Sequence, residues 1–552
     1  MIRRNLLLAA AIWTIAANGF AQSNATIEAL QRAVAASPSD ASAYVRLSQA
    51  YAAANYPDAA LSAIEGALAL APDVAEHLHA KAILATWAGK YATARDAYKR
   101  LRQLNGDDPA ISLGLARVSA WAGETDEAVD AYRRYLSVHP EDSAVWVELA
   151  RAESWRGNFA AALDVLDDYR DRFGATREYT RERAAVLARG GRPSEAIRLS
   201  TPLPQEPHDY RDSITRTIAL AMRQQSREAL ESLDGIRRSH PDMPETHAAE
   251  RVVHALVASI VEPRATIYND SDSLQVARLA PWVNVALTTG TQIRAGYEHE
   301  ALEAGIGSGL EQVGGTPDAR HEHVWFGAAQ RFSAFTVRGR VGFASSVGHD
   351  VTTYALGLHV RPADTFAVSL DRSSGLLAIS PRTLGLGLTR LGHQLRLEWQ
   401  PTLRVGVELE GAYETFSDGN ERWEIRFAPR RSVARTQRLN LDLGLSVYQL
   451  GTSLDLDNGY YDPRRYENYS LTALPYLKVS ENVGLGAVLA VGAQRDDRSP
   501  SFRLGANVAA EATFGIYEPW VLKIGGSVTT NQRLDSGAFK GYGGSVSLMR
   551  RF

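Results

Sequence analysis

The sequence predicts a chain of two parts: an all-α helical-repeat solenoid followed by an antiparallel transmembrane β-barrel of about 16 strands. Three observations predict this fold class. The first half repeats every 34 residues, and the second half alternates apolar and polar residues with a period of two. The chain ends on an aromatic residue, Phe552, at the close of an alternating strand, which is typical of outer-membrane barrels.

The N-terminus predicts export from the cytoplasm. Arg3 and Arg4 precede an apolar stretch at residues 6–17, and Gly-Phe-Ala at 19–21 forms a small-x-small cleavage site. We therefore assign residues 1–21 to a secretory signal peptide. An uncleaved N-terminal anchor is the alternative interpretation.

The composition limits the possible chemistry. A length of 552 residues accommodates two or more domains, and a net charge of −3 gives no electrostatic case for nucleic acid. The chain has no cysteine, which excludes a lipid-modified cysteine, disulfides and thiolate metal sites. After the signal peptide no run of 18 apolar residues follows, so a membrane crossing would need a closed barrel. No metal or cofactor is predicted.

Residues 22–262 contain the repeats and are assigned to a periplasmic solenoid of about six tetratricopeptide units plus a capping helix at residues 245–259. Trp87, Trp121 and Trp155 are 34 residues apart. The same spacing relates Gly89, Gly123, Gly157 and Gly191. The first copy matches the tetratricopeptide pattern at Tyr44, Leu47, Tyr51, Ala60, Ile64, Ala67 and Pro72.

Each repeat is predicted to be a pair of antiparallel helices that turns at the glycine. Small residues such as Ala94 and Ala128 let the second helix approach the first closely. One pair cannot bury its apolar stripe alone, so the pairs stack into a scaffold that commonly binds protein partners. The repeated tryptophan is interpreted as core between repeats, with a sugar-stacking platform as the alternative.

Residues 263–552 are assigned to the barrel. A soluble β-sandwich also alternates, but the signal peptide, Phe552 and an unbroken series of long strands favour a membrane barrel. Roughly 18 residues per strand and connection give the count of about 16 strands. One predicted strand alternates Leu439, Leu441, Leu443, Leu445 and Val447 with Arg438, Asn440, Asp442 and Ser446.

The connections and the tryptophans predict an orientation. Short connections at 361–364, 400–401 and 518–519 suit periplasmic turns, and longer ones at 304–321, 455–465 and 496–501 suit extracellular loops. Interfacial girdles of aromatic residues are expected at both membrane surfaces. The candidates are Trp282, Trp325, Trp399, Trp423 and Trp520.

The predicted inner wall carries charges of both signs. One interpretation is a hydrated lumen held by ion pairs between strands; the other is a track of ionic and hydroxyl-binding groups for a sugar polymer. In the second interpretation Glu398, Glu408 and Glu410 form an acidic patch near Arg396 and Arg404. The candidate lining residues are Arg338, Arg340, Arg396, Glu398, Arg404, Glu408, Glu410, Glu424, Arg426 and Asp442.

A tetratricopeptide array joined to a C-terminal barrel of this size resembles the exopolysaccharide export porins, in particular the poly-N-acetylglucosamine and cellulose export porin families. The repeated Trp-x-Gly before the second helix is similar to the former. A segment with Tyr460, Tyr461, Asp462 and Pro463 is similar to a Gly-Tyr-aromatic-x-Pro segment near the end of the latter's barrel. Glycine and proline are also ordinary turn residues, so this motif has a second interpretation as a loop-folding device.

The resemblance implies a porin that exports a surface or biofilm exopolysaccharide across the bacterial outer membrane. The repeats would lie in the periplasm and dock inner-membrane or periplasmic proteins that synthesise or modify the polymer, and Phe552 would be read by the barrel assembly machinery. No catalysis is implied. The alternative is an anchor, adhesin or assembly scaffold whose barrel conducts no polymer. An outer-membrane enzyme is disfavoured, because no Ser-His-Asp grouping, phosphate loop or metal spacing is visible.

Overall fold

The computed structural model describes residues 23–106, 108–200, 210–288, 290–436, 438–530 and 539–552. The predicted signal peptide lies outside these residues. The chain forms two compact units, one ending at Tyr179 and one running from Thr180 to Phe552. None of the described helices is long and apolar enough to cross a membrane.

Fourteen helices precede the first strand in the described part of the chain. They are α1 Ser23–Ala36, α2 Ala41–Ala53, α3 Pro57–Leu70, α4 Ala75–Trp87, α5 Tyr91–Asn105, α6 Pro109–Trp121, α7 Thr125–Val138, α8 Ser143–Arg156, α9 Phe159–Phe173, α10 Arg177–Arg189, α11 Pro193–Leu199, α12 Tyr210–Met222, α13 Ser226–Ser239 and α14 Pro244–Val257.

From α2 to α13 the helices form consecutive pairs, as the period of the sequence predicts. The periodic glycines, Gly89, Gly123, Gly157 and Gly191, all have positive φ between 73° and 89° at the turn inside a pair. This backbone conformation is unfavourable for other residues. The small residues of the second helices are fully buried at 0% exposure, namely Ala60, Ala94, Ala128, Ala162 and Ala196.

The strands of the second unit belong to one sheet. They are β1 Ile260–Glu262, β2 Arg264–Asp270, β3 Leu274–Leu279, β4 Trp282–Thr288, β5 Thr291–Ala304, β6 Asp318–Arg331, β7 Phe335–Ser346, β8 His349–Ala363, β9 Phe366–Leu376, β10 Thr389–Trp399, β11 Val405–Phe416, β12 Glu421–Arg435, β13 Leu439–Thr452, β14 Tyr466–Lys478, β15 Val483–Asp496, β16 Arg503–Phe514, β17 Trp520–Thr530 and β18 Lys540–Arg551. A short helix, α15 Pro381–Gly385, lies between β9 and β10.

The described strands close into an antiparallel barrel. β1 and β2 are one strand interrupted at Pro263, and both pair with β18. β3 and β4 are one strand interrupted at Pro281, and both pair with β5. Proline has no N–H for the ladder, which explains both interruptions. The 18 described segments thus make 16 barrel strands, and the predicted repeat solenoid followed by a barrel of about 16 strands is confirmed.

The C-terminus lies at the closing seam. Phe552 follows β18 directly, and its N–H donates to the Ser259 carbonyl oxygen at 3.0 Å. In return the Ser259 N–H donates to the Phe552 oxygen at 3.2 Å. The Phe552 side chain is 63% exposed.

We call the end of the barrel that carries Phe552 the proximal rim and the opposite end the distal rim. The short connections at 332–334, 364–365 and 400–404 lie at the proximal rim.

Within the second unit, the last helices are fastened to the proximal rim. Asp364, in the turn between β8 and β9, accepts hydrogen bonds from the Ser194 N–H and hydroxyl, both at 2.7 Å, and from the Glu195 N–H at 3.3 Å. Arg192 donates to the carbonyl oxygens of Asp364 at 2.9 Å and of Gln400 at 2.5 Å. The Asp364 side chain is only 2% exposed. We call these five residues the rim clamp.

Candidate functional site in the barrel lumen

The two faces of the barrel wall differ in chemistry. On β12, Trp423, Ile425 and Phe427 are exposed on the outer face, and Glu424 and Arg426 lie on the inner face. The same alternation recurs around the barrel, with exposed aliphatic and aromatic side chains outside. An apolar outer belt and a polar interior are what a membrane-spanning barrel needs.

Five of the ten predicted lining residues meet in one network on the inner face of β10–β13. Arg396 contacts Glu410 at 2.5 Å and Glu408 at 3.7 Å. Arg426, on the far side of β11, contacts Glu410 at 3.3 Å and Glu408 at 3.8 Å. Arg430 reaches Glu408 at 3.8 Å. We call these five residues the charge ladder, because arginines and carboxylates alternate across the strands.

The ladder continues into β13 through Asp442. Arg430 approaches Asp442 at 3.9 Å, and Arg435 contacts it at 2.5 Å. The hydroxyl of Ser432 also donates to Asp442 at 2.7 Å. On the next row Glu424 accepts a hydrogen bond from the Tyr448 hydroxyl at 3.0 Å. The carboxylates of this wall therefore have donors from the wall itself.

The other predicted lining residues lie apart from the ladder. Glu398 contacts Arg361 at 3.3 Å, and Arg338 contacts Asp371 at 2.6 Å. Arg404 is exposed in the proximal connection before β11. Arg340 lies on β7, on the same face as Arg338, and its guanidinium carbon is 5.4 Å from the centroid of the Trp325 ring.

The three carboxylates of the predicted acidic patch are therefore all paired with arginines. Glu408 and Glu410 are each shared by at least two arginines, and Glu398 has a separate partner. The ion-pair interpretation accounts for these contacts. The sequence left both interpretations open, because alternation places residues on a face but does not give the register between strands, on which cross-strand pairing depends.

Neutralising the ladder carboxylates is expected to shift ion selectivity. The double variant Glu408→Gln/Glu410→Gln leaves Arg396 and Arg426 without these carboxylates, so the reversal potential in planar bilayers should move toward anion preference. Cross-strand pairs contribute about 0.2–1 kcal/mol each, so the barrel should still fold. The matched control is Glu481→Gln, in an exposed proximal turn. Equal reversal potentials for the two variants would contradict the lumen assignment.

The tyrosine motif lies in the distal loop between β13 and β14 and is largely buried. The Tyr460 hydroxyl donates to Asp418 at 2.8 Å, and the Tyr461 hydroxyl donates to Asp496 at 2.6 Å. The Pro463 carbonyl oxygen accepts from the Thr452 N–H at 2.9 Å. These contacts tie neighbouring loops together, and they suit the loop-folding interpretation of the motif.

Asp462 carries the carboxyl of this motif, and only 2% of its side chain is exposed. It accepts the Leu456 N–H at 2.5 Å and lies 3.5 Å from Arg498. Burial raises the pKa of Asp462 to about 6, against the opposing effect of the Leu456 N–H. Its carboxyl is therefore partly protonated just below neutral pH. Protonation removes a buried negative charge from this hydrogen-bonded loop.

A feature that the sequence analysis missed is α15, which folds inside the distal mouth. Leu384 is 0% exposed and packs against Leu302, Ala319 and Ala344, whose side chains face the barrel interior. Arg382 holds the helix to the loop of the tyrosine motif by donating to the Asp457 carbonyl oxygen at 2.7 Å. α15 thus occupies part of the distal mouth.

Two predicted girdle tryptophans lie elsewhere. Trp282 and Trp325 both align with Gly296, on the inner face, so the girdle prediction is wrong for them. Trp399, Trp423 and Trp520 are exposed on the outer face, as a girdle requires.

No group of three or more His, Asp or Glu side chains in the described residues is placed to hold a metal ion.

Comparison with known proteins supports the helical half directly. A family model described as tetratricopeptide repeat matches residues 110–152. No curated protein matches the chain.

Three solved structures show partial likeness. A bacterial polysaccharide outer membrane secretin is 14% identical with a TM-score of 0.45, covering 53% of this chain and 98% of that chain. MamA is 21% identical with a TM-score of 0.24, covering 26% and 85%. A tetratricopeptide repeat protein from Parabacteroides merdae is 13% identical with a TM-score of 0.36, covering 46% and 98%. The chain has the repeats-plus-barrel architecture that its resemblance to the export porins implied.

Proposed function

We propose that this chain is an outer-membrane porin through which a surface exopolysaccharide leaves the cell. The observation that carries the proposal is the closed barrel with an apolar outer face and a polar inner wall, on the same chain as tetratricopeptide repeats. A barrel of this size encloses an aqueous path unless loops or helices plug its interior.

The repeats supply the second half of the proposal. Solenoids of this kind present extended surfaces to protein partners. In the periplasm they would dock the inner-membrane or periplasmic proteins that synthesise or modify the polymer. The rim clamp supports this arrangement, because it holds the last helices beside the proximal mouth. The chain itself would carry out no catalysis and need no cofactor.

One observation favours a second candidate, an outer-membrane anchor or assembly scaffold that conducts no polymer. α15 packs against the inner wall at the distal mouth through Leu384, and a barrel closed there would only hold the repeats at the membrane. The two candidates differ in what happens to polymer after its synthesis.

Deletion of the gene tests the export proposal. We expect the surface polysaccharide to disappear while polymer synthesis continues and cell-retained polymer rises. Complementation with the whole chain should restore export. Complementation with a secreted version of residues 180–552, which retains the barrel and the rim clamp, measures the need for the first repeats. A deletion strain with normal surface polysaccharide would rule out export and favour the anchor.

A further inference from the structure

One row of outer-face side chains crosses the neighbouring strands β8–β12 and includes two ionisable groups. Arg372 on β9 aligns with Leu356 on β8 and with His393 on β10. His393 aligns in turn with Tyr413 on β11, which aligns with Trp423 on β12. All five side chains are exposed, and we call them the outer row. Arg372 and His393 therefore lie on the face that lipid covers, among apolar and aromatic neighbours.

The outer row lies near the distal end of the barrel wall. Arg372 lies four residues before the distal end of β9, and His393 lies four residues after the distal start of β10. At about 3.3 Å per residue this is about 13 Å along each strand, and the height is smaller because barrel strands tilt. Tyrosine and tryptophan concentrate where the hydrocarbon meets the headgroups, and the row contains one of each. The outer row therefore lies at the level of the distal headgroups, where a charge on the lipid face is tolerated.

The two ionisable groups of the outer row are unpaired. Neither Arg372 nor His393 has a hydrogen-bond or ion-pair partner in the described part of the chain. The carboxylate next to Arg372 in sequence, Asp371, faces the lumen and contacts Arg338 at 2.6 Å. Glu421, at the distal end of β12, is hydrogen-bonded to the tyrosine of the row. A guanidinium stays charged and offers five N–H donors, so Arg372 can hold an anion that the chain itself does not provide.

An apolar cavity of about 770 Å³ lies on the proximal side of the outer row. Ten of its sixteen lining residues belong to the outer face and the other six are their inward-facing neighbours along the strands, so the cavity opens toward lipid. Gly411 aligns with Leu395 on one side and with Ile425 on the other. A Cβ added at Gly411 would approach only the Glu424 carbonyl oxygen, at 3.8 Å, so the glycine leaves a channel between the two apolar side chains. Four members of the outer row line the same cavity, which we call the Gly411 groove.

We propose that the outer row and the Gly411 groove bind one molecule of lipid A, a phosphorylated glycolipid, with a phosphate on Arg372 and His393 and an acyl chain in the groove. Guanidinium groups bind phosphate bidentately, and the imidazole ring adds a further N–H donor. The apolar groove meets the basic pair directly, as a lipid with a phosphate above its acyl chains requires. This inference rests on the proposed function only for its orientation, which turns the distal rim toward the outer leaflet, where lipopolysaccharide is found.

Native mass spectrometry of the folded full-length protein in detergent tests the site. The probe is bisphosphorylated lipid A, with the same lipid stripped of both phosphates as one comparison and phosphatidylglycerol as the other. We expect lipid A to bind most tightly, and its Kd to rise at least about tenfold in Arg372→Gln/His393→Gln. Gly411→Leu fills the groove and should weaken binding of lipid A with and without its phosphates. Heat-modifiable gel mobility confirms folding of each variant.

Two matched controls separate the site from general effects on the outer face. Arg431→Gln removes an exposed outer-face arginine at the proximal end of β12, far from the groove. Gly526→Leu fills an outer-face glycine of β17, where an added Cβ would approach only the Gly543 carbonyl oxygen, at 3.7 Å. Both variants should bind lipid A as the parent does.

Four outcomes would each overturn the proposal: no binding of lipid A, equal binding with and without its phosphates, tighter binding of phosphatidylglycerol, or equal losses in the control variants. Failure of export in the deletion test would not overturn it, because lipid binding is measured on the protein alone.

Discussion

Removing Phe552, or replacing it by aspartate, is expected to abolish most barrel assembly in cells. Its side chain is 63% exposed at the end of the outer face, and its backbone closes the seam against Ser259. A charge on the lipid face near an interface costs only about 0–1 kcal/mol. A large loss of assembly for Phe552→Asp would therefore reflect recognition of the terminal residue and not stability of the folded barrel.

Two measurements separate these causes. Heat-modifiable mobility of membrane fractions reports assembly in cells, and refolding of purified chain into detergent reports stability alone. Met549→Asp is the control, since it places the same charge on the same strand but on the inner face. Arg551 is unsuitable as a control, because its guanidinium donates to the Ile516 and Glu518 carbonyl oxygens at 2.8 and 3.0 Å. Equal cellular yields of Phe552→Asp and Met549→Asp would contradict the prediction.

Releasing α15 from the wall is expected to raise single-channel conductance strongly. Leu384→Asp places a charge among Leu302, Ala319 and Ala344, and a buried unpaired charge is far less stable than the same charge in water. The helix should leave the wall, because the new carboxylate then reaches water and is no longer buried without a partner. Replacing residues 378–387 by a short Gly/Ser linker should have the same effect by removing the helix.

Leu386→Asp is the control for this prediction. It makes the same chemical change next to the same helix, but Leu386 is 37% exposed and can place a charge in water. Conductance in planar bilayers should therefore rise for Leu384→Asp and the linker variant and stay at the parental level for Leu386→Asp. Parental conductance in the linker variant would show that α15 does not limit the passage of ions.

The repeats and the strands could be predicted because each depends on local periodicity. A glycine with positive φ and a fully buried alanine recur at fixed positions, and both requirements act within one helix pair. α15 had a weaker signal of the same kind. Ser380 and Pro381 form an N-cap and first-turn pair, and Ser380 accepts the Thr383 N–H in a capping box. The surrounding apolar residues continue β9, however, so the periodicity there does not separate helix from strand.

The errors at the inner wall have a different cause. Val324, Trp325 and Phe326 are consecutive apolar residues, so alternation does not say which of them faces inward. Trp282 follows the interruption at Pro281, where alternation begins again. Pairing among Arg396, Glu408 and Glu410 depends on the register of two strands, which hydrophobic pattern alone does not give.

The rim clamp defines which part of the chain can be exchanged as a module. Arg192 and Ser194 belong to the helical half by sequence, yet their hydrogen bonds end on the Asp364 turn of the barrel. A chimera that joins a foreign array at the change of period near residue 263 would discard both residues, and a foreign helix packed over Asp364 would bury its carboxylate without these donors, which is costly. Joined ahead of Thr180, the same graft keeps the clamp intact. The part of the chain that can be exchanged therefore ends about two repeats before the last helix.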